Sequence, residues 1–169
     1  MSIVEGSEQE YIDLDLSPIR KKRIRINGDN DRVLELDTTD MGVISRLNEI
    51  YPKLAELEKE YGSLDVTFTE EGTMTEESFA ELGKAVSDID KKMRDCIDEI
   101  FNSNVSDVCA PTGSMFDPIN GSFRFEYIID ALSTLYSDEI AKNMQKRKEN
   151  IGKHTAKYKG KSKGKKEEQ

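Results

Sequence analysis

Residues 20–40, RKKRIRINGDNDRVLELDTTD, decide how this chain begins to fold. Within them KRIRI alternates charge with apolar bulk and sets Ile24 and Ile26 on one face; RVLELD does the same with Leu34 and Leu36. A period of two is that of a half-buried strand. Asn27-Gly28, between the two runs, supplies the positive φ angles a tight hairpin needs. Across that hairpin Arg23 and Arg25 are expected to face Glu35 and Asp37. The alternation of Asn27, Asp29 and Asp31 also suggests a calcium loop, but such a loop requires glycine at its sixth position and glutamate at its twelfth. Those positions hold Arg32 and Thr38, which excludes it. Arg20, Lys21 and Lys22 have no local acidic partner, so a contact with nucleic acid or another partner stays open for them.

Downstream, Thr38-Thr39-Asp40 is a helix start signal. Met41, Ile44, Leu47, Ile50, Tyr51, Leu54, Leu57 and Tyr61 then form one apolar stripe of a first helix. Pro52 is expected to kink or split it, and Gly62 to cap its end. SLDVTFTEEGTM connects, with VTF extended, to a second helix capped by Thr75. Phe79, Leu82, Val86, Ile89, Met93, Cys96 or Ile97, and Ile100 give that helix a heptad-like seam, which serves either a small bundle's core or self-association. NSNVSDVCAPTGSMFDPING reads as a long irregular loop pinned by Val105, Val108, Met115 and Phe116, and loops of such length inside a compact domain usually carry function. A third helix buries Phe125, Ile128, Ile129, Leu132, Leu135, Tyr136, Ile140 and Met144.

Upstream, residues 1–17 form an acidic arm in which YIDLDL has the alternation of an edge strand. The expected architecture is therefore mainly α, of the α+β kind. A flexible arm (1–17) precedes a single domain (18–150), in which an N-terminal β-hairpin is followed by a bundle of three long helices. A disordered basic tail (151–169) completes the chain. Seven lysines stand against Glu167 and Glu168 in residues 153–169, a net +5; the chain's −9 therefore leaves −14 on residues 1–152. An acidic body with a basic tail is a different object from an evenly acidic protein.

Little in the sequence points to catalysis. It contains no P-loop, no dinucleotide-binding glycine pattern and no GxSxG turn. Asp88 and Asp90 are not one helical turn apart, and His154 lies among the tail lysines, a poor place for a general base. Cys96 and Cys109 form no CxxC pair, so no zinc site can be assembled and two reduced thiols are expected. No cofactor is expected. No apolar run is long enough to cross a bilayer, and residues 1–16 lack the features of a signal peptide, so the expected location is the cytoplasm of the cell that makes it. A non-enzymatic interaction module fits these features better than an enzyme.

The order of KKRIRINGDNDRVLELDTTD, MGVISRLNEIYPKL and DEIFNSNVSDVCAPTGSMFDPINGSFRFEYIIDALSTLY resembles small proteins of the tail assembly chaperone type from tailed bacteriophages and prophages of Gram-positive bacteria. The resemblance spans residues 20–150 and rests on arrangement, with no catalytic signature. It implies a protein that binds the long, apolar, helical tape measure protein, keeps it soluble and helps recruit tail tube protein. Such a chaperone works in the bacterial host cytoplasm and is absent from the mature virion. The residues taken as partner-binding are Leu47 and Leu54 of the first helix, Val108, Met115 and Phe116 of the loop, and Ile129, Leu132 and Tyr136 of the third helix. The competing reading is a small nucleic-acid-associated or regulatory adaptor using its basic tail. Against it stand the acidic body and a tail whose lysines are accompanied by a single aromatic, Tyr158, where stacking on bases needs several.

Overall fold

The computed structural model describes residues 11–16, 21–65 and 69–163. The chain is mainly helical, with an N-terminal antiparallel hairpin of β1 (Lys22–Ile26) and β2 (Asp29–Leu36). Asn27 and Gly28 form its two-residue turn with φ of 53° and 73°, the left-handed conformation the dipeptide was expected to supply. Leu34 and Leu36 are buried and Ile24 half-buried, on one face as the alternation requires. Arg23 lies opposite Glu35, and the same antiparallel register sets Arg25 opposite Val33 and leaves Asp37 beyond the paired residues; the register shifts only between Arg25 and Ile26, next to the turn. Arg25 instead donates to Asn30 Oδ1 (2.8 Å), and Asp37 is taken up in a turn with Thr39. Lys22 has a distant partner in Glu139, whose carboxyl it holds below the ordinary range by hydrogen bonding. A Gly28→Ala variant should lose about 1 kcal/mol of stability, because a Cβ disfavours this φ even though nothing crowds the position. A shifted urea midpoint at unchanged slope would register it.

Helix α1 spans Gly42–Gly62. It starts later than the Thr38-Thr39-Asp40 signal implied. Thr38 is buried, and Asp40 Oδ1 accepts from the Gly42 amide (2.8 Å), so the aspartate supplies the first contact of the helix. Pro52 neither splits nor ends the helix. Its ring is exposed, and Ile50, Leu54 and Leu57 on either side are anchored in the core. One lost backbone bond is outweighed by that burial. Gly62 is the last helical residue and Ser63 the cap; Gly62 itself does not take the left-handed conformation.

Helix α2 spans Glu76–Phe101. Thr75 caps it as expected, its hydroxyl accepting from the Ser78 amide, and Asn102 ends it at φ 49°. Only the second half of the seam is core. Ile89, Met93, Ile97 and Ile100 are buried, whereas Phe79 is 68 % exposed. The 102–121 segment is more regular than its composition implied. It contains a short helix α3 (Val105–Cys109) and a small hairpin of β3 (Pro118–Ile119) and β4 (Ser122–Phe123). The turn of that hairpin is again Asn-Gly, Asn120 and Gly121, both at positive φ.

Helix α4 spans Arg124–Lys163 and corresponds to the expected third helix. It overshoots residue 151, where the sequence sets the start of a disordered tail; residues 164–169 lie outside the described residues. From Ala141 to Lys153 every side chain is exposed, so this part of α4 stands clear of the core. Segment 11–16 is irregular and exposed, and does not join a sheet. The rest of the acidic arm, and VTF at 66–68, lie outside the described residues. No described helix is long and apolar enough to cross a membrane.

One core joins these parts. α1 lies chiefly on α2, and β2 on α3. Several arginines tie separate elements together through backbone carbonyls. Arg32 donates to Val108 and Cys109, Arg46 to Ile100, and Arg94 to Ser106, Ala110 and Gly113.

Candidate functional site

The first and last helices run past each other with an apolar groove between them. At one end Val43, Ile44 and Leu47 of α1 face Tyr136, Ile140 and Met144 of α4 around a cavity of about 290 Å³. At the other end Tyr51, Leu54 and Glu58 of α1 face Phe125, Ile129 and Asp130 of α4 around about 310 Å³. Low numbers on α1 meet high numbers on α4, so the helices are antiparallel. From Ile44 to Glu58 the groove follows four turns of helix, roughly 20 Å at 1.5 Å per residue. A third depression, between Met41, Thr39 and Met144, continues it beyond the start of α1.

The groove exists because the stripe on α1 is wider than one neighbouring helix can cover. Val43, Ile50, Leu54 and Leu57 are buried, while Met41, Ile44 and Tyr51 remain 46–63 % exposed. On α4, Tyr136 is buried and Met144 is 54 % exposed. The floor is buried and the rim is apolar at the Met144 end, while Glu58, Glu126 and Asp130 make it half polar at the Leu54 end. Methionine and isoleucine on a rim suit an apolar partner of irregular shape.

Charge holds the start of α1 in place. Arg46 bonds Asp40 Oδ2 (2.5 Å) and, from the same guanidinium, the Ile100 carbonyl at the end of α2 (2.8 Å). The hydrogen bond from Arg46 lowers the Asp40 pKa below 3.8. Lowering means that its contribution is fully present above the unfolded value and lost as pH falls through the folded one. The stability advantage of wild type over Asp40→Asn should therefore shrink on acidification below about pH 4, in urea titrations at successive pH values. Tyr136 is pushed up to about 12, first by burial and then by Asp40 and Asp37, so its phenol stays neutral at ordinary pH. Burial likewise raises both free thiols, Cys96 and Cys109. Among the described residues no group of His, Cys, Asp or Glu is arranged to hold a metal ion.

Of the residues singled out in the sequence, Leu47, Leu54, Ile129 and Tyr136 come together along this groove. Leu132 does not; it lines a separate depression beside β1. Met115 and Phe116 are no surface residues at all, at 0 % and 1 % exposure. The loop that carries them is folded into the core by Arg94 and Asp90, which the composition of the segment did not reveal. Val108 is half-buried, its carbonyl engaged by Arg32. The groove residues the sequence reading placed in the core are Ile44, Tyr51 and Met144. The only signal for them was a stripe too broad for one contact. Comparison of the chain with family models, with curated proteins and with solved structures finds no match.

Proposed function

We propose that this chain is a non-enzymatic binding protein whose α1–α4 groove receives an apolar helical segment of another polypeptide. Following the resemblance in the sequence, the client is the tape measure protein of a tailed phage, held soluble before the tail tube assembles. The observation that carries this is a pair of depressions along four turns of α1, apolar at the Ile44 end and half polar at the Glu58 end, with Ile44, Tyr51 and Met144 exposed on their rims. Helix-in-groove recognition uses anchors spaced by three, four and seven residues, and the α1 side offers Ile44, Leu47, Tyr51 and Leu54 at that spacing. A client that exposes apolar stripes aggregates alone, and a cover with an acidic exterior keeps it dispersed.

Co-expression tests it. Wild type should bring the candidate tape measure protein into the soluble fraction. An Ile44→Asp/Met144→Asp variant should fail, with unchanged helical circular dichroism, because both changes are on exposed positions. Equal solubilisation by wild type and variant would remove the groove from the proposal. The basic helical extension favours a second reading. Lys142, Lys146, Arg147 and Lys148 are exposed on α4 beyond the core, as a nucleic-acid contact needs. That reading requires affinity for RNA or DNA that falls steeply with salt.

A further inference from the structure

Two helices reach past the core in opposite directions, and their projecting ends carry opposite charge. α1 is antiparallel to α2: Arg46 near its start bonds the Ile100 carbonyl, while Leu57 and Glu60 near its end lie beside Lys92 and Cys96. The first half of α2 therefore runs on beyond the end of α1. From Glu76 to Asp88, about 20 Å of helix, no side chain is buried. Phe79 is 68 % exposed there, and Leu82 and Val86, three and seven residues on, are only half-buried. This is the spacing by which one helix face receives another. α4 overshoots the other way. Ile44 at the start of α1 faces Ile140 and Met144, so residues 145–153 pass beyond it, with Ile151 53 % exposed.

Residues 70–84 carry five glutamates against Lys84, a net −4; residues 142–153 carry five cations against Glu149, a net +4. All of these charged side chains are exposed. Among the described residues none of the five glutamates takes part in an ion pair. Glu76 stands one turn before Phe79, and Lys148 one turn before Ile151, so each apolar anchor is flanked by a charge of opposite sign. The two ends cannot meet within one copy, because α1, 21 residues and about 30 Å long, separates them.

We infer that the start of α2 in one copy docks on the basic end of α4 in a second copy, with Phe79 against Ile151 and glutamates against lysines. The two surfaces differ, so the contact is head-to-tail and propagates from copy to copy, where a two-fold pair would close. Met144 lies seven residues, about 10 Å, before Ile151, so the α1–α4 groove stays open in such an assembly. The contact is small and exposed, which makes it weak and dependent on salt.

Cancelling the charge at each end in a separate chain tests it. One chain carries Glu76→Lys/Glu81→Lys, the other Lys148→Glu/Lys153→Glu; circular dichroism checks that each is folded. Sedimentation of nuclease-treated wild type in about 20 mM salt should show growth beyond a dimer as concentration rises, and monomer in about 0.5 M salt. Each variant alone should associate about tenfold more weakly. Their equimolar mixture should form a one-to-one pair and stop there, because only one contact in it is complementary. Phe79→Ser, at an exposed position, should also lose growth and serves if the glutamate variant misfolds. Ile44→Asp/Met144→Asp should grow as wild type does, which separates this contact from the groove; loss of growth there would count against the inference. A wild type that stays monomeric at low salt, that stops at a dimer, or whose growth ignores these charges would overturn it. So would growth that disappears on nuclease treatment, the result expected if the α4 end binds nucleic acid.

Discussion

Replacing Phe116 by alanine is expected to cost about 3–5 kcal/mol of unfolding free energy, the range for removing a fully buried phenylalanine ring. Phe116 is 1 % exposed and sits at the centre of an aromatic cluster. Its ring stacks on Tyr61 at 4.4 Å and meets Phe123 and Phe125 edge-on, each at 5.6 Å. Tyr61 is on the last turn of α1, Phe123 on β4 and Phe125 on the first turn of α4. One side chain therefore joins the end of α1 to the distant junction of β4 and α4. A cavity there cannot be closed by one neighbour, because each is fixed to a different element. Equilibrium denaturation in urea measures the loss, and a slope unchanged from wild type would show that the whole domain still unfolds as a unit. A loss below about 1 kcal/mol would mean that the loop is not a structural part of the core.

Arg94→Ala should cost about 2–4 kcal/mol, from a different cause. Arg94 pairs with Asp90 (2.8 Å) one turn back on α2 and donates to the carbonyls of Ser106, Ala110 and Gly113 at 2.9–3.3 Å. Its partner Asp90 accepts from the Ser114 hydroxyl and the Met115 amide. Two charged residues thus serve the backbone of residues 106–115. Both side chains are less than one-fifth exposed. Deleting the arginine leaves a largely buried carboxylate without its cation and removes the side-chain donor from the carbonyls of Ala110 and Gly113, while the Ser106 carbonyl keeps the Ala110 amide; the expected cost therefore exceeds that of a surface ion pair. Lysine is no substitute, since an ammonium lacks the planar fork that reaches all of these acceptors. Hydrogen exchange should show the amides around Met115 opening in Arg94→Ala while those of β1 and β2 keep their wild-type rates.

These two positions also mark where the sequence stopped being legible. The hairpin could be read in advance because its signals are local: a period of two on each strand and Asn-Gly between them. The caps at Thr75 and the apolar stripes of the three long helices are local in the same sense. Segment 102–121 reads as loop because glycine, proline, serine and asparagine dominate it. Its order comes from Asp90 and Arg94, side chains on another element that look like ordinary solvated charges in a helical pattern. Asn120-Gly121 was the one local clue there, the same dipeptide as at the first hairpin, but with strands only two residues long. The groove was half legible. Leu47, Leu54, Ile129 and Tyr136 could be named from periodicity, yet periodicity does not tell how far two helices stand apart. Ile44, Tyr51 and Met144 belong to the same stripes as the core and differ only in having no neighbour to cover them.

The groove itself can be tested by methyl-labelled NMR during titration with an apolar helical peptide taken from the candidate client. The account predicts that the methyl resonances of Ile44, Leu47, Ile140 and Met144 shift together and saturably, while those of Ile24 and Leu135 beside β1 stay where they were. Saturable binding that leaves the first group unmoved and shifts residues elsewhere, such as those around Phe79 or along the basic end of α4, would contradict it.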